Sequence, residues 1–179
     1  MNPHSEAEYL RRAALVEAAY RATHITNLAD VRSQEAAKRA LEVAVAGRHT
    51  ITLTGNAPTD IRHLCSAFPS IGGDPAMIVD HGDILVVVTP ATLSDIVIAY
   101  PGDATDAIRR RIARAATAIP AITEYDWAAT QLLDRIAELN LDPDQLRGIC
   151  RTIAALDGSD HVRRPHVGEA LAYRWRPSR

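Results

Sequence analysis

A chain of 179 residues is long enough to bury a substantial core and suits one compact domain, with or without a helical appendage. Its formal net charge of −2 excludes a global pull toward nucleic acid or anionic lipid, and 47% hydrophobic residues with few aromatics favour small-residue helix packing over a sandwich or barrel. Positive charge sits on 19 Arg against the single Lys38, a GC-rich bias that weakens any argument from arginine clusters. Cys65 and Cys150 are isolated, with no C-x-x-C spacing, which points away from a disulfide framework or thiolate zinc site and toward a reducing cytoplasm. Glu6, Glu8, Arg11, Arg12 and Glu17 interrupt the first twenty residues, so neither a signal-peptide core nor a membrane span is expected there.

In chain order, Tyr9, Ala13, Val16 and Tyr20 recur at helical spacing and predict an amphipathic helix over 5–22. After a connection at 27–32, Ser33 is placed to cap a helix running from Gln34 to Ala46, with Ala37, Ala40, Leu41 and Ala44 on one face and Gly47 ending it in a left-handed conformation. Thr50 to Thr54 alternates as a short strand. A turn at Gly55 leads to a helix expected to carry Ile61, Leu64, Cys65 and Phe68 inward and to stop before Pro69. A glycine-rich loop over 70–75 precedes a candidate strand at Met77–Val79, and Ile84–Val88 reads as a strand buried on both faces.

From Pro90 onward the pattern is helical. Asp103 is the expected cap of a helix with Ile108, Ile112 and Ala115 inward and Arg109, Arg110, Arg111 and Arg114 mostly outward. A second helix runs from about Glu124 to Asn140 with Trp127, Leu132, Leu133, Ile136 and Leu139 apolar. Asp142-Pro143 starts a third, with Leu146, Ile149, Cys150, Ile153 and Leu156 inward, and Arg164-Pro165 starts the last, with Val167, Ala170, Leu171 and Tyr173.

Two stretches of this chain resemble the magnesium-chelatase-like AAA+ ATPases, in particular the ComM group. From Leu28 to His49 the sequence reads LADVRSQEAAKRALEVAVAGRH. It is similar to the family's D-V-x-G-Q-x-x-A-K-R-A-L and A-A-G-x-H segment ahead of the phosphate-binding loop. The second stretch comprises RTIAALDGSD, from Arg151 to Asp160, and HVGEALAYR, from His166 to Arg174. It resembles the helical lid, with its A-R-T-I-A-D-L-x-G-S and H-V-x-E-A-L-x-Y-R signatures. A weaker likeness covers Asp83 to Ala115.

The resemblance implies an α/β, mainly helical fold: residues 1–100 hold the N-terminal helix, which lies outside the resemblance, and a remnant of an AAA+ core with two or three strands, and residues 101–179 a helical lid. It also implies a phosphate loop at Gly55, but the working pattern GxxxxGK[ST] is not kept. Pro58 and Asp60 fall at glycine positions, Ile61 at the lysine and Arg62 at the magnesium-ligating hydroxyl; only Gly55 and Thr59 remain. Only 11 residues separate Gly72 from Ile84, too few for the strand with paired acids and the sensor strand of a complete module. His81 falls near the position of the arginine that acts on a neighbouring subunit's nucleotide.

Loss of the lysine contact removes roughly 1.5–3 kcal/mol, and a carboxylate about 4 Å from a phosphate adds about 4 kcal/mol of repulsion at an effective dielectric near 20. Half of that total weakens binding on the order of a hundredfold. Gly55, Thr59 and Arg62 are the candidate phosphate-loop residues, and Ile61 is expected to be buried. No catalytic residue, metal site or cofactor is expected; ATP with magnesium is the cofactor a surviving loop would take. Asp80, His81 and Asp83 read as a turn before a strand, and His161 and His166 as surface or capping residues.

Arg110, Arg111 and Arg114, with Arg109 and the C-terminal Arg163, Arg164, Arg174, Arg176 and Arg179, are the candidate DNA-phosphate face. The expected function is a non-catalytic, AAA+-derived binding or regulatory protein of a bacterial cytoplasm, a pseudo-ATPase rather than an enzyme. Its expected partner is another protein or a second copy, and no membrane. The alternatives are a weak ATP-binding subunit of an ATPase assembly involved in DNA processing, and a DNA-binding accessory protein.

Overall fold

A computed structural model of the chain describes residues 3–98, 103–137 and 143–174. Its described residues form eight α-helices around a two-stranded parallel sheet, so the fold is mainly helical with a small α/β element. The helices are α1 (Pro3–Ala22), α2 (Glu35–Gly47), α3 (Pro58–Ala67), α4 (Leu93–Ile98), α5 (Thr105–Ala118), α6 (Trp127–Ala137), α7 (Pro143–Leu156) and α8 (Arg164–Ala172); the strands are β1 (Ile51–Gly55) and β2 (Ile84–Val88). Leu139, Asn140, Asp142, Arg176 and Arg179, invoked above, lie outside the described residues.

Register in the sheet runs from Ile51↔Ile84 to Gly55↔Val88. It is set by a reciprocal clamp: Thr50 N–H and its hydroxyl donate to the Asp83 carboxylate at 3.0 and 2.8 Å, and Asp83 N–H donates to the Thr50 hydroxyl at 3.0 Å. Gly82 lets the turn close, since a Cβ there would sit 2.8 Å from the Ile51 backbone. The expected Met77–Val79 strand does not form. A 3-10 turn occupies Pro75–Met77, and only one bridge, Ile51↔Ile78, follows it. Ile84–Val88 is a strand, but Val87 is 55% exposed, so β2 is not covered on both faces.

Helix α2 is the centre of the molecule. Ala37, Ala40, Leu41, Val43, Ala44 and Ala46 are all buried, and α2 packs on β2, α5 and α7. Small side chains on most of that surface let three neighbours approach one helix. A single hydrophobic cluster continues through Leu64, Phe68, Ile112, Ile153 and Val167. The C-terminal helices return to the sheet, where Leu85 N–H donates to Tyr173 O at 2.8 Å and Arg174 donates to Asp83 O at 3.1 Å.

Several termini differ from expectation. Ser33 does not cap α2: Ser33 and Gln34 are both left-handed (φ 58° and 66°) and the helix has no side-chain cap. Ser33 stands where the family pattern quoted above has glycine, the residue that tolerates this conformation best. At the other end Arg48, not Gly47, is left-handed (φ 55°). Gly47 is needed for room, because a Cβ would collide with the His49 imidazole and the Thr152 hydroxyl. Asp103 does not cap α5 but pairs with Arg111 at 2.9 Å. Asp126 caps α6 instead, accepting Ala129 N–H at 2.6 Å. On α1, Ala13 and Tyr20 are buried, but Tyr9 and Val16 stay 55% and 41% exposed; among the described elements α4 is the one that packs substantially against this helix. Trp127, read as an apolar position of α6, is 75% exposed.

Candidate functional site

The loop between β1 and α3 carries the residues in which the sequence resemblance expects a phosphate loop. Gly55 has φ 130°, and a Cβ on it would strike the Val88 carbonyl of the paired strand. Glycine is therefore required by backbone conformation and by the close approach of β2, with no ligand invoked. Pro58 opens α3 and removes one of the free N–H groups that a helix start offers an anion. Asp60 follows in the same turn, only 1% exposed, with its carboxylate 3.4 Å from Ala91 N–H. A buried carboxylate at a helix N-terminus satisfies the dipole that would otherwise attract phosphate.

Thr59 is half-buried and Gly55 exposed. Arg62 is exposed but directed away from the loop, donating through Nη2 to Arg21 O at the end of α1 at 2.9 Å. The three candidate phosphate residues thus share one segment, while the guanidinium is engaged elsewhere. Ile61, at the lysine position, is half-buried against the core.

Behind α3 lies a polar cluster that no pattern in the sequence signalled. His63 is 1% exposed, its Nε2 lies 3.1 Å from Thr23 O, and its ring meets Tyr20 edge-on at 4.9 Å between centroids. The Thr23 bond requires the proton on Nε2, so Nδ1 is a buried lone pair with no donor. Burial lowers the His63 pKa and raises that of Tyr20, keeping both neutral. The Tyr20 hydroxyl accepts Arg32 N–H at 2.9 Å. Together with the Arg62–Arg21 bond, these contacts fasten the end of α1 to α3.

The arginines of α5 do not form one free face. Arg111 reaches Glu42, which is 4% exposed, through Nη2 at 2.5 Å and Nε at 3.1 Å, and its Nη1 pairs with Asp103. Arg109 donates to Ser70 O at 2.6 Å and Arg114 to Leu156 O at 3.4 Å. Arg110 is exposed. Among the described residues no cluster of three or more His, Cys, Asp or Glu is arranged to hold a metal ion, and no helix is long and apolar enough to cross a membrane.

Residues from the two separated family-like stretches meet in space. His49 Nε2 lies 3.0 Å from the Thr152 hydroxyl. Arg39 donates to Glu169 at 3.0 Å and to Asp157 at 2.7 Å, and the Tyr173 hydroxyl donates to Glu169 at 2.8 Å. His166 caps α8 by accepting Arg163 N–H on Nδ1 at 2.9 Å.

Residues 27–78 match the family model for magnesium chelatase, subunit ChlI. The match supports a relation of this segment to the magnesium-chelatase-like AAA+ proteins. The match takes in α2, β1, the Gly55 loop and α3, and ends at Ile78, before β2. No curated protein matches the chain. The signal for Arg39, His49 and Thr152 was present in the sequence as motif residues, but their pairing across more than 100 positions needed the fold. Asp60 stood out in the sequence only as a departure from the loop pattern, and nothing signalled its burial or that of His63, because a polar residue on a short helix is usually solvent-facing.

Proposed function

We propose that this chain is a non-catalytic, AAA+-derived binding or regulatory module whose phosphate loop has become a structural turn. The observation that carries the reading is Asp60: its buried carboxylate puts a negative charge in the first turn of α3, the helix start whose backbone N–H groups would otherwise face a phosphate. Gly55 packed on Val88 and Arg62 bonded to Arg21 support it. The C-terminal helices are held to α2 by Arg39 with Asp157 and Glu169, and by Arg111 with Glu42, so their position depends on the protein's own charges. The exposed indole of Trp127 and the apolar Tyr9, Leu10 and Leu15 of α1 are the contacts that a protein partner or second copy would cover.

The test is a titration of the full chain with ATP and magnesium, followed by backbone amide shifts. The expected result is no saturable change at Gly55 to Thr59 up to about 1 mM, beyond the weakest range of specific nucleotide sites. Micromolar binding that shifts those amides, or ATP hydrolysis above the buffer rate, would overturn the reading.

A further inference from the structure

Arg151 differs from every other described arginine. The others either donate to an acceptor or are exposed, whereas Arg151 is half-buried, and its Nε is buried without a hydrogen-bond partner. A buried guanidinium Nε–H without an acceptor is costly, and the half-buried head beyond it can still donate through its Nη atoms. Its surroundings are specific. The next residue, Thr152, holds His49, and the Tyr125 hydroxyl donates to Arg147 O at 3.3 Å one turn earlier on α7. The charge of Arg151 bears on both the His49 and Tyr125 rings.

Arg147 is four residues before Arg151 and so on the same helix face. It is tied to Asp144 at 3.2 Å, with the two side chains 49% and 86% exposed, a pairing water readily exchanges. Gly148, between the two arginines, leaves the helix backbone bare beside the His49 ring, where a Cβ would meet only Cε1 at 3.5 Å. Asp83, the acid whose charge reaches His49, has its carboxylate engaged by Thr50. The His49 Nε2–Thr152 contact leaves no ring donor free, since the Thr152 hydroxyl itself donates to Gly148 O at 3.1 Å. The guanidinium groups are therefore the donors at this place.

We propose that Arg151, with Arg147, forms an anion site on α7 beside His49 and Tyr125 that takes a phosphate-class oxyanion. A planar guanidinium offers two parallel N–H donors to such a group, and a second one across a helical turn adds charge and selectivity for a dianion. The site lies beside His49, ahead of β1, while Gly55 ends that strand, about 15 Å further on at the strand's rise per residue. It is separate from the loop, and its fate is independent of whether the loop takes nucleotide.

The test uses the full chain with labelled arginine side chains, titrated at constant ionic strength with inorganic phosphate, with ADP, and with acetate as the salt control. The Arg151 Nε–H signal and the His49 and Tyr125 ring signals should move saturably with phosphate at a dissociation constant on the order of millimolar. A tighter response to ADP at the same signals, with Gly55 to Thr59 unmoved, would assign the phosphoryl group to a nucleotide's tail. Read at the His49 and Tyr125 rings, Arg151→Gln should weaken binding at least about tenfold and Arg147→Gln about threefold. No saturable movement with phosphate or ADP, movement reproduced by acetate, or unchanged affinity in Arg151→Gln would overturn the proposal. If Arg151→Gln does not fold, Arg147→Gln decides, and unchanged affinity there overturns it.

Discussion

Replacing Arg111 by alanine isolates the strongest polar tie between α2 and α5. The substitution leaves Glu42, whose side chain is 6% exposed, without the guanidinium that contacts both of its oxygens. Removing one partner of a buried ion pair costs about 3–5 kcal/mol, because the remaining charge stays desolvated. Two features reduce that here: the Arg111 side chain keeps 28% exposure, so water already screens the pair, and Arg39 stands 3.9 Å from Glu42 as a second cation. The expected loss is about 2–3 kcal/mol, which for a domain of this size lowers Tm by roughly 5–10 °C. Urea denaturation followed by circular dichroism measures it, with Arg110→Ala as a control expected within about 0.5 kcal/mol because Arg110 is exposed. Combining Glu42→Leu with Arg111→Met should return stability to within about 1 kcal/mol of the parent, since two apolar side chains leave no stranded charge. A loss below about 0.5 kcal/mol for Arg111→Ala, equal to the Arg110 control, would refute the reasoning and return Arg111 to the pool of free surface cations.

Acid should loosen the junction of α1 and α3 in a defined direction. The folded pKa of His63 lies below its usual value because burial disfavours the charged ring, so stability is level above about pH 6.5 and falls as pH drops below it toward the folded pKa. His49 and His166 are lowered by burial as well, so His63→Phe should reduce, not abolish, the decline in Tm between pH 7 and 5; an unchanged slope would remove His63 from the account. At the loop, Gly55→Ala should cost more than about 2 kcal/mol in urea denaturation, since φ 130° is unfavourable for any side chain and the new methyl strikes Val88 O. Gly158→Ala, also at positive φ but with open space around it, should cost about 1 kcal/mol, and equal losses at the two sites would show that the strand contact adds nothing.

Much of the fold was legible because burial on a helix repeats with the helix. The inward residues of α7 (Leu146, Ile149, Cys150, Ile153 and Leu156) and of α5 (Ile108, Ile112 and Ala115) are the periodic apolar positions, and all are buried. Periodicity was less informative where an element lacks a partner on its second side. Tyr9 and Val16 lie on the apolar stripe of α1 and Val87 in the apolar run of β2, yet each is exposed because no described element covers it. Caps were read less well than cores. Ser33 and Asp103 have capping side chains, but a left-handed backbone at the first and a nearby guanidinium at the second claim them for other geometry.

The sequence by itself determined the helical majority, the strand, glycine turn and helix about Gly55, and the likeness of residues 27–78 to the magnesium-chelatase family. These follow from local spacing and from motif residues close together in the chain. Tertiary structure alone decided what the Gly55 loop faces. Asp60 turns inward to Ala91, Arg62 reaches back to α1, and Val88 lies against Gly55. Those orientations depend on strands and helices brought together from more than 25 residues away, and side-chain direction on a short helix is set by such neighbours rather than by its own residues.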